Sequence, residues 1–88
     1  MHEKALMDDV MRKIDEVART GGGGRVTRIR VRLGALSHFT VAHFGEHFEL
    51  ASRGTLAEGA VVEAELGTDP TEPGAQGVVL ESVELEGG

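Results

Sequence analysis

Hydrophobic positions along this chain switch between a helical and a strand period, and the switches divide it into five predicted elements. Leu6, Val10, Ile14 and Val17 recur at helical spacing, with Met7, Met11 and Ala18 widening the stripe. Asp8, Asp9, Arg12, Lys13, Asp15 and Glu16 fill the other face, so the segment is predicted to be an amphipathic helix. Gly21 to Gly24 stop it. From Arg25 the period becomes two: Thr27, Ile29, Val31 and Leu33 alternate with Val26, Arg28, Arg30 and Arg32. That is the pattern of a half-buried strand with one apolar and one basic face. Gly34 and Ser37 end it, and Thr40 is placed to cap a second helix with Val41, Phe44, Phe48 and Ala51 as its buried stripe. Gly54 ends this helix. Ala60, Val62, Ala64 and Leu66 then alternate with Val61, Glu63 and Glu65 in a second strand. Gly67 to Gly77 holds both prolines and reads as a loop. Val78 to Glu86 supplies a third strand, with Val83 and Leu85 opposed to Ser82, Glu84 and Glu86. Its first half (Val78, Val79, Leu80) is apolar on both faces and leaves the register there open.

The predicted order is α-β-α-β-β, an α/β domain of the two-layer α+β kind. Two helices cover one face of a three-stranded sheet, and the last two strands are expected to form a terminal hairpin. With 88 residues the chain has room for a single domain spanning 1–88. Three Phe, with neither Trp nor Tyr, offer few platforms on which bases can stack. A net charge of −6 lacks the cationic surplus that a phosphate backbone attracts, so nucleic acid is not an expected partner. Because there is no cysteine, disulfides and thiolate metal sites are both excluded. No run approaches the ~18–20 apolar residues of a membrane span. Met1-His2-Glu3-Lys4 turns amphipathic at once, without an apolar signal core. The expectation is a cytoplasmic protein with no membrane partner.

Without thiolates, the strong metal ligands are the imidazoles of His2, His38, His43 and His47. His2 is unusually placed. Its backbone nitrogen, its imidazole and the α-amine of Met1 can close two fused chelate rings around one cation. With the Glu3 amide or another donor as fourth ligand, this nitrogen set suits a square-planar ion such as Ni²⁺ or Cu²⁺. Met1 is expected to stay on the chain, because the enzymes that remove it prefer a small second residue. On spacing alone, the simpler reading is that His2 and Glu3 are frayed residues ahead of a helix.

His43-Phe44-Gly45-Glu46-His47 matches the H-x-x-E-H pattern of inverted zinc peptidases. On a helix the two histidines lie one turn apart, near enough to chelate. A peptidase also needs a third ligand and a substrate cleft, and the Phe44–Phe48 stripe puts both histidines on the polar flank. The expectation is a weak, solvent-exposed pair and no catalysis. Arg28, Arg30 and Arg32 are expected to pair across strands with Glu63, Glu65, Glu84 and Glu86. The alternative makes that face a docking surface for an acidic partner. Gly21 to Gly24 lacks the following Lys and Ser/Thr of a phosphate-binding loop and reads as a linker.

Met1-His2-Glu3 followed at once by an amphipathic helix resembles the start of the hydrogenase/urease nickel-incorporation proteins, the HypA/HybF family. Val26-Thr27-Arg28-Ile29-Arg30-Val31-Arg32-Leu33-Gly34-Ala35-Leu36-Ser37 is similar to that family's first strand and its Gly-x-x-Ser turn. Phe48-Glu49-Leu50-Ala51-Ser52-Arg53-Gly54-Thr55, running into Leu56-Ala57-Glu58-Gly59-Ala60, resembles its second helix end and the following turn. Glu81-Ser82-Val83-Glu84-Leu85-Glu86 resembles its last strand. The resemblance implies a nickel-binding metallochaperone, not an enzyme. Such a protein passes Ni²⁺ toward a nickel-enzyme precursor, a [NiFe]-hydrogenase or urease, and works with a nickel-handling GTPase. It carries the metal role onto His2, through side chain and backbone, and onto Glu3, through its backbone and as a supporting carboxylate, while the Met1 amine stays a donor of the chelate read from the residues.

The chain departs from the family in two places. The family inserts a zinc module with two Cys-x-x-Cys pairs between its last two strands, where this chain has only Gly67 to Gly77. No zinc is expected, and the chain reads as a reduced form lacking that module. Members also tend to carry an acidic residue soon after the Gly-x-x-Ser turn, where this chain has His38-Phe39-Thr40. His38 then has two readings, a further nearby ligand or a surface-loop histidine. A second function stands beside metal delivery: a metal-independent interaction module that keeps the fold and binds a maturation partner or a hydrogenase subunit.

Overall fold

The computed structural model describes residues 2–87, with side chains from Lys4 onward. Helix α1 (His2–Thr20) leads into strand β1 (Val26–Leu33), helix α2 (Val41–Ser52), strand β2 (Val61–Leu66) and strand β3 (Val78–Leu85). The predicted α-β-α-β-β order is the observed one. Helix α1 buries Met7, Val10, Ile14 and Ala18 and carries ion pairs outside, among them Lys4–Asp8 at 3.0 Å and Arg19–Asp15 at 2.6 Å. Lys13 and Arg12 both hydrogen-bond Asp9 and hold its carboxyl below the usual carboxylate range. Val17, expected in the buried stripe, is 43% exposed. At 100° per residue the face through Val10 and Ile14 continues to Ala18, whose small side chain lets the last turn close on the sheet.

Three strands form one sheet in the order β2-β1-β3. Strand β1 pairs parallel with β2, from Arg28↔Val61 to Leu33↔Leu66, and antiparallel with β3. The expected terminal hairpin is therefore wrong: β2 and β3 lie on opposite edges of β1. The physical reason is the connection through α2. Parallel strands need a long crossover, which α2 supplies, and this fills one edge of β1. The 67–77 segment is too long for a tight hairpin turn and carries the chain past the end of β1 to its free edge.

Ile29, Val31 and Leu33 face the helices, while Arg28, Arg30 and Arg32 line the other face. At the start of β1 the expected faces are exchanged, with Val26 buried and Thr27 exposed. The pairing jumps from Val26↔Leu85 to Arg28↔Glu84, so Thr27 is the extra residue of a β-bulge. A second jump, from Arg30↔Ser82 to Val31↔Leu80, leaves Glu81 as the extra residue on β3. It explains the ambiguous pattern of that strand, because Val78 and Leu80 turn inward before the bulge and Val83 and Leu85 after it.

Thr40 caps α2 as expected, its Oγ1 accepting from the His43 amide at 3.0 Å. Phe44, Phe48 and Ser52 are the buried positions of α2, and Val41, placed in the stripe from sequence, is 45% exposed. A residue in the first turn overhangs the end of the core, which instead is closed by Phe39 from the preceding turn.

The chain's topology gathers one end of the domain. Leu6 lies against Gly77 and Gly21 against Leu85, so α1 runs alongside β3 and antiparallel to β1. The start of α1, the turn after β1, the start of α2 and the 67–77 loop therefore share that end. Gly34 donates to the Gly77 carbonyl at 2.8 Å, and Leu36 to that of Ala75 at 2.8 Å. Within the loop Asp69 accepts from the Thr71 hydroxyl at 2.6 Å and amide at 2.8 Å, which holds its carboxyl low.

Candidate metal centre

The backbone of α1 is helical from His2 onward. The Met1 amine, the His2 imidazole and the Glu3 carboxylate, three of the donors expected from sequence, lie outside the described residues. The backbone amides that begin a helix have no carbonyl four residues earlier to accept from them. Those of His2 and Glu3 are thus not committed to the helix ladder.

His38, the fourth expected ligand, stands in the turn at the same end of the domain. Its φ of 67° lies in the left-handed region, which histidine enters more readily than most residues. The turn around it is fixed by Ser37, which is fully buried, donates its amide to the Gly34 carbonyl at 3.0 Å and accepts the Phe39 amide on its hydroxyl at 3.3 Å. The His38 side chain is exposed. Among the described residues no three His, Asp or Glu side chains converge as a cation site.

The helical histidines depart from expectation. His43 and His47 are half-buried rather than solvent-exposed, and their Nε2 atoms stand 3.0 Å apart. Phe39 meets both imidazoles edge-on, with centroids 5.9 and 6.1 Å away. Sequence reasoning missed Phe39, which is buried and packs edge-on against Phe44 at 5.6 Å. The signal was available: Phe39 precedes the capping Thr40 and Phe44 follows it by four, the spacing of a hydrophobic staple.

On the outer sheet face the arginines are already matched. Arg28 reaches Glu63 at 2.7 Å and Glu84 at 3.5 Å, and Arg30 reaches Glu63 at 3.3 Å. Arg32 pairs with Glu72 at 3.2 Å and Glu81 at 2.7 Å, two carboxylates not expected from sequence. The Glu81 bulge brings its carboxylate to Arg32. Pairs across the strands and to Glu72 of the 67–77 loop account for this stripe, which leaves little unmatched cationic surface for an acidic partner. No described helix is long and apolar enough to cross a membrane.

Comparison with known proteins adds a family. The family model described as hydrogenase/urease nickel incorporation, metallochaperone, HypA, matches residues 1–69. The hydrogenase maturation factor HypA of Rhodobacter capsulatus is 38% identical over 63 residues, which cover 72% of this chain and 56% of the relative. That of Methylocella silvestris is 36% identical over 66 residues, covering 75% and 58%. That of Azorhizobium caulinodans is 39% identical over 70 residues, covering 77% and 62%. The matched segment thus spans little more than half the length of these curated relatives.

Proposed function

This chain belongs to the HypA family of hydrogenase/urease nickel-incorporation metallochaperones, and from that premise we propose that it binds Ni²⁺ at its first residues and hands it on. The carrying observation is Met1-His2-Glu3 leading without a spacer into a helix that begins at His2, within the segment the family model matches. The Met1 amine, the His2 amide nitrogen and the His2 imidazole supply three nitrogens, and the Glu3 amide a fourth. That all-nitrogen set favours square-planar Ni²⁺ or Cu²⁺ over oxygen-seeking cations. Helical amides without a ladder partner are the ones that can ionise onto a metal with the least loss of backbone bonding. Glu3 supports the site through its carboxylate, and His38, at the same end of the domain, is a candidate further ligand.

Nickel is cargo here, and the protein is an accessory factor, not an enzyme. The partners are a nickel-enzyme precursor, of the hydrogenase or urease kind, and a nickel-handling GTPase, in a cytoplasmic setting. In this reading the cysteine-free Gly67 to Gly77 segment stands in place of the family's zinc module, and the protein works as a reduced form without zinc. The test is calorimetry with Ni²⁺ on tag-free protein: one tight equivalent per chain is expected. Absence of nickel binding would favour the metal-independent interaction module instead.

A further inference from the structure

Independently of the terminal site, we propose that His43 and His47 form a second, weaker and more labile site for a divalent late first-row transition metal. The Nε2–Nε2 separation is 3.0 Å. With a metal–nitrogen bond of about 2.1 Å, two nitrogens so placed subtend roughly 90° at the ion. That angle fits two neighbouring positions of an octahedral or square-planar ion better than the wider angle of a tetrahedral one. Imidazole is also the side-chain donor that suits this group of metals.

The two rings are held at this separation before any metal arrives. The Thr40 cap fixes the first turn of α2, and helical spacing stacks His47 one turn above His43. The edge of Phe39 rests on both rings, and Phe39 itself is anchored in the core through Phe44. Half-burial limits the rotamers of both imidazoles, so little side-chain freedom is lost on chelation. In the metal-free protein one Nε2–H donates to the other Nε2. To admit a cation, the donating ring moves its proton to Nδ1 and both rings turn so that their Nε2 lone pairs converge on the metal, with no net proton released. No third described side chain joins the pair. Water fills the remaining positions, which makes the site weak and quick to exchange.

The experiment uses the full chain with an acetylated N-terminus, which removes the terminal amine as a ligand, and Ni²⁺ alone as the probe. Two imidazoles with several waters leave Ni²⁺ octahedral and paramagnetic, so bound ion broadens nearby proton resonances. Signals of His43, His47 and Phe39 should broaden first, and His43→Gln or His47→Gln should weaken this binding about tenfold or more. Broadening centred elsewhere would overturn the proposal, as would nickel affinity that neither substitution changes. The broadening pattern decides in unsubstituted protein even if a variant folds poorly. A terminal site that fails its own test leaves this result untouched.

Discussion

Gly34 lies against the backbone carbonyl of Ala75 with no room for a Cβ between them, and the Leu36 amide donates to that same carbonyl at 2.8 Å. The contact joins the turn after β1 to the 67–77 loop, at the end of the domain where α1 begins. Gly34→Ala must push two backbone segments apart. A loss of about 1–3 kcal/mol is expected, read as a fall in Tm by thermal unfolding. An unchanged Tm would mean that the loop is not seated on this turn.

The helical stripes make a second prediction. Phe44 is fully buried, and Phe44→Ala should cost about 3–5 kcal/mol by cavity formation. Val17 stands on the exposed edge of α1, and Val17→Ala should stay within about 0.5 kcal/mol. Denaturant unfolding of the two variants separates the observed stripe from the one periodicity suggests, in which Val17 would be a core position.

How far the sequence leads depends on the element. Helix and strand periods locate all five elements, because each buries one face and the period records which. What periodicity misses is pairing order. A pattern of two says that a strand has an apolar face and is silent on its neighbour, so β2 and β3 read as a hairpin although both flank β1. Bulges hide for a similar reason: at Thr27 and Glu81 one residue shifts the phase, and the alternation looks broken or ambiguous. The proposed Met1-His2-Glu3 chelate can be written down from sequence as chemistry, since its donors are adjacent in the chain. The closeness of His43 and His47 follows from helical spacing, but their partial burial needs Phe39, which comes from outside the helix.

The domain should fold without metal. Its core runs from Met7 to Val78 through both helices and all faces of β1 that meet them, with no described metal cluster inside. Circular dichroism with and without a chelator should give the same spectrum and the same Tm. Unfolding on chelation would reveal a structural metal.

Nickel affinity should weaken as pH falls. The amine and imidazole must lose their protons to ligate, and a coordinated amide must ionise as well. Each released proton opposes binding as acidity rises, so affinity should drop steeply from mildly alkaline to mildly acidic solution. Calorimetric titrations at the two ends of that range check the sign. Equal affinity at both would point to carboxylate ligands.

The most direct measurement compares nickel titrations of three proteins: the native start, a start extended by a few residues, and His43→Ala with His47→Ala. Extension removes the Met1 amine from the chelate and leaves the core contacts of Met7, Val10, Ile14 and Ala18 in place. Tight Ni²⁺ binding should persist in the double variant and vanish in the extended protein, with the fold intact in both. Tight binding that survives extension and disappears in the double variant would contradict a nickel site at the first residues of the chain.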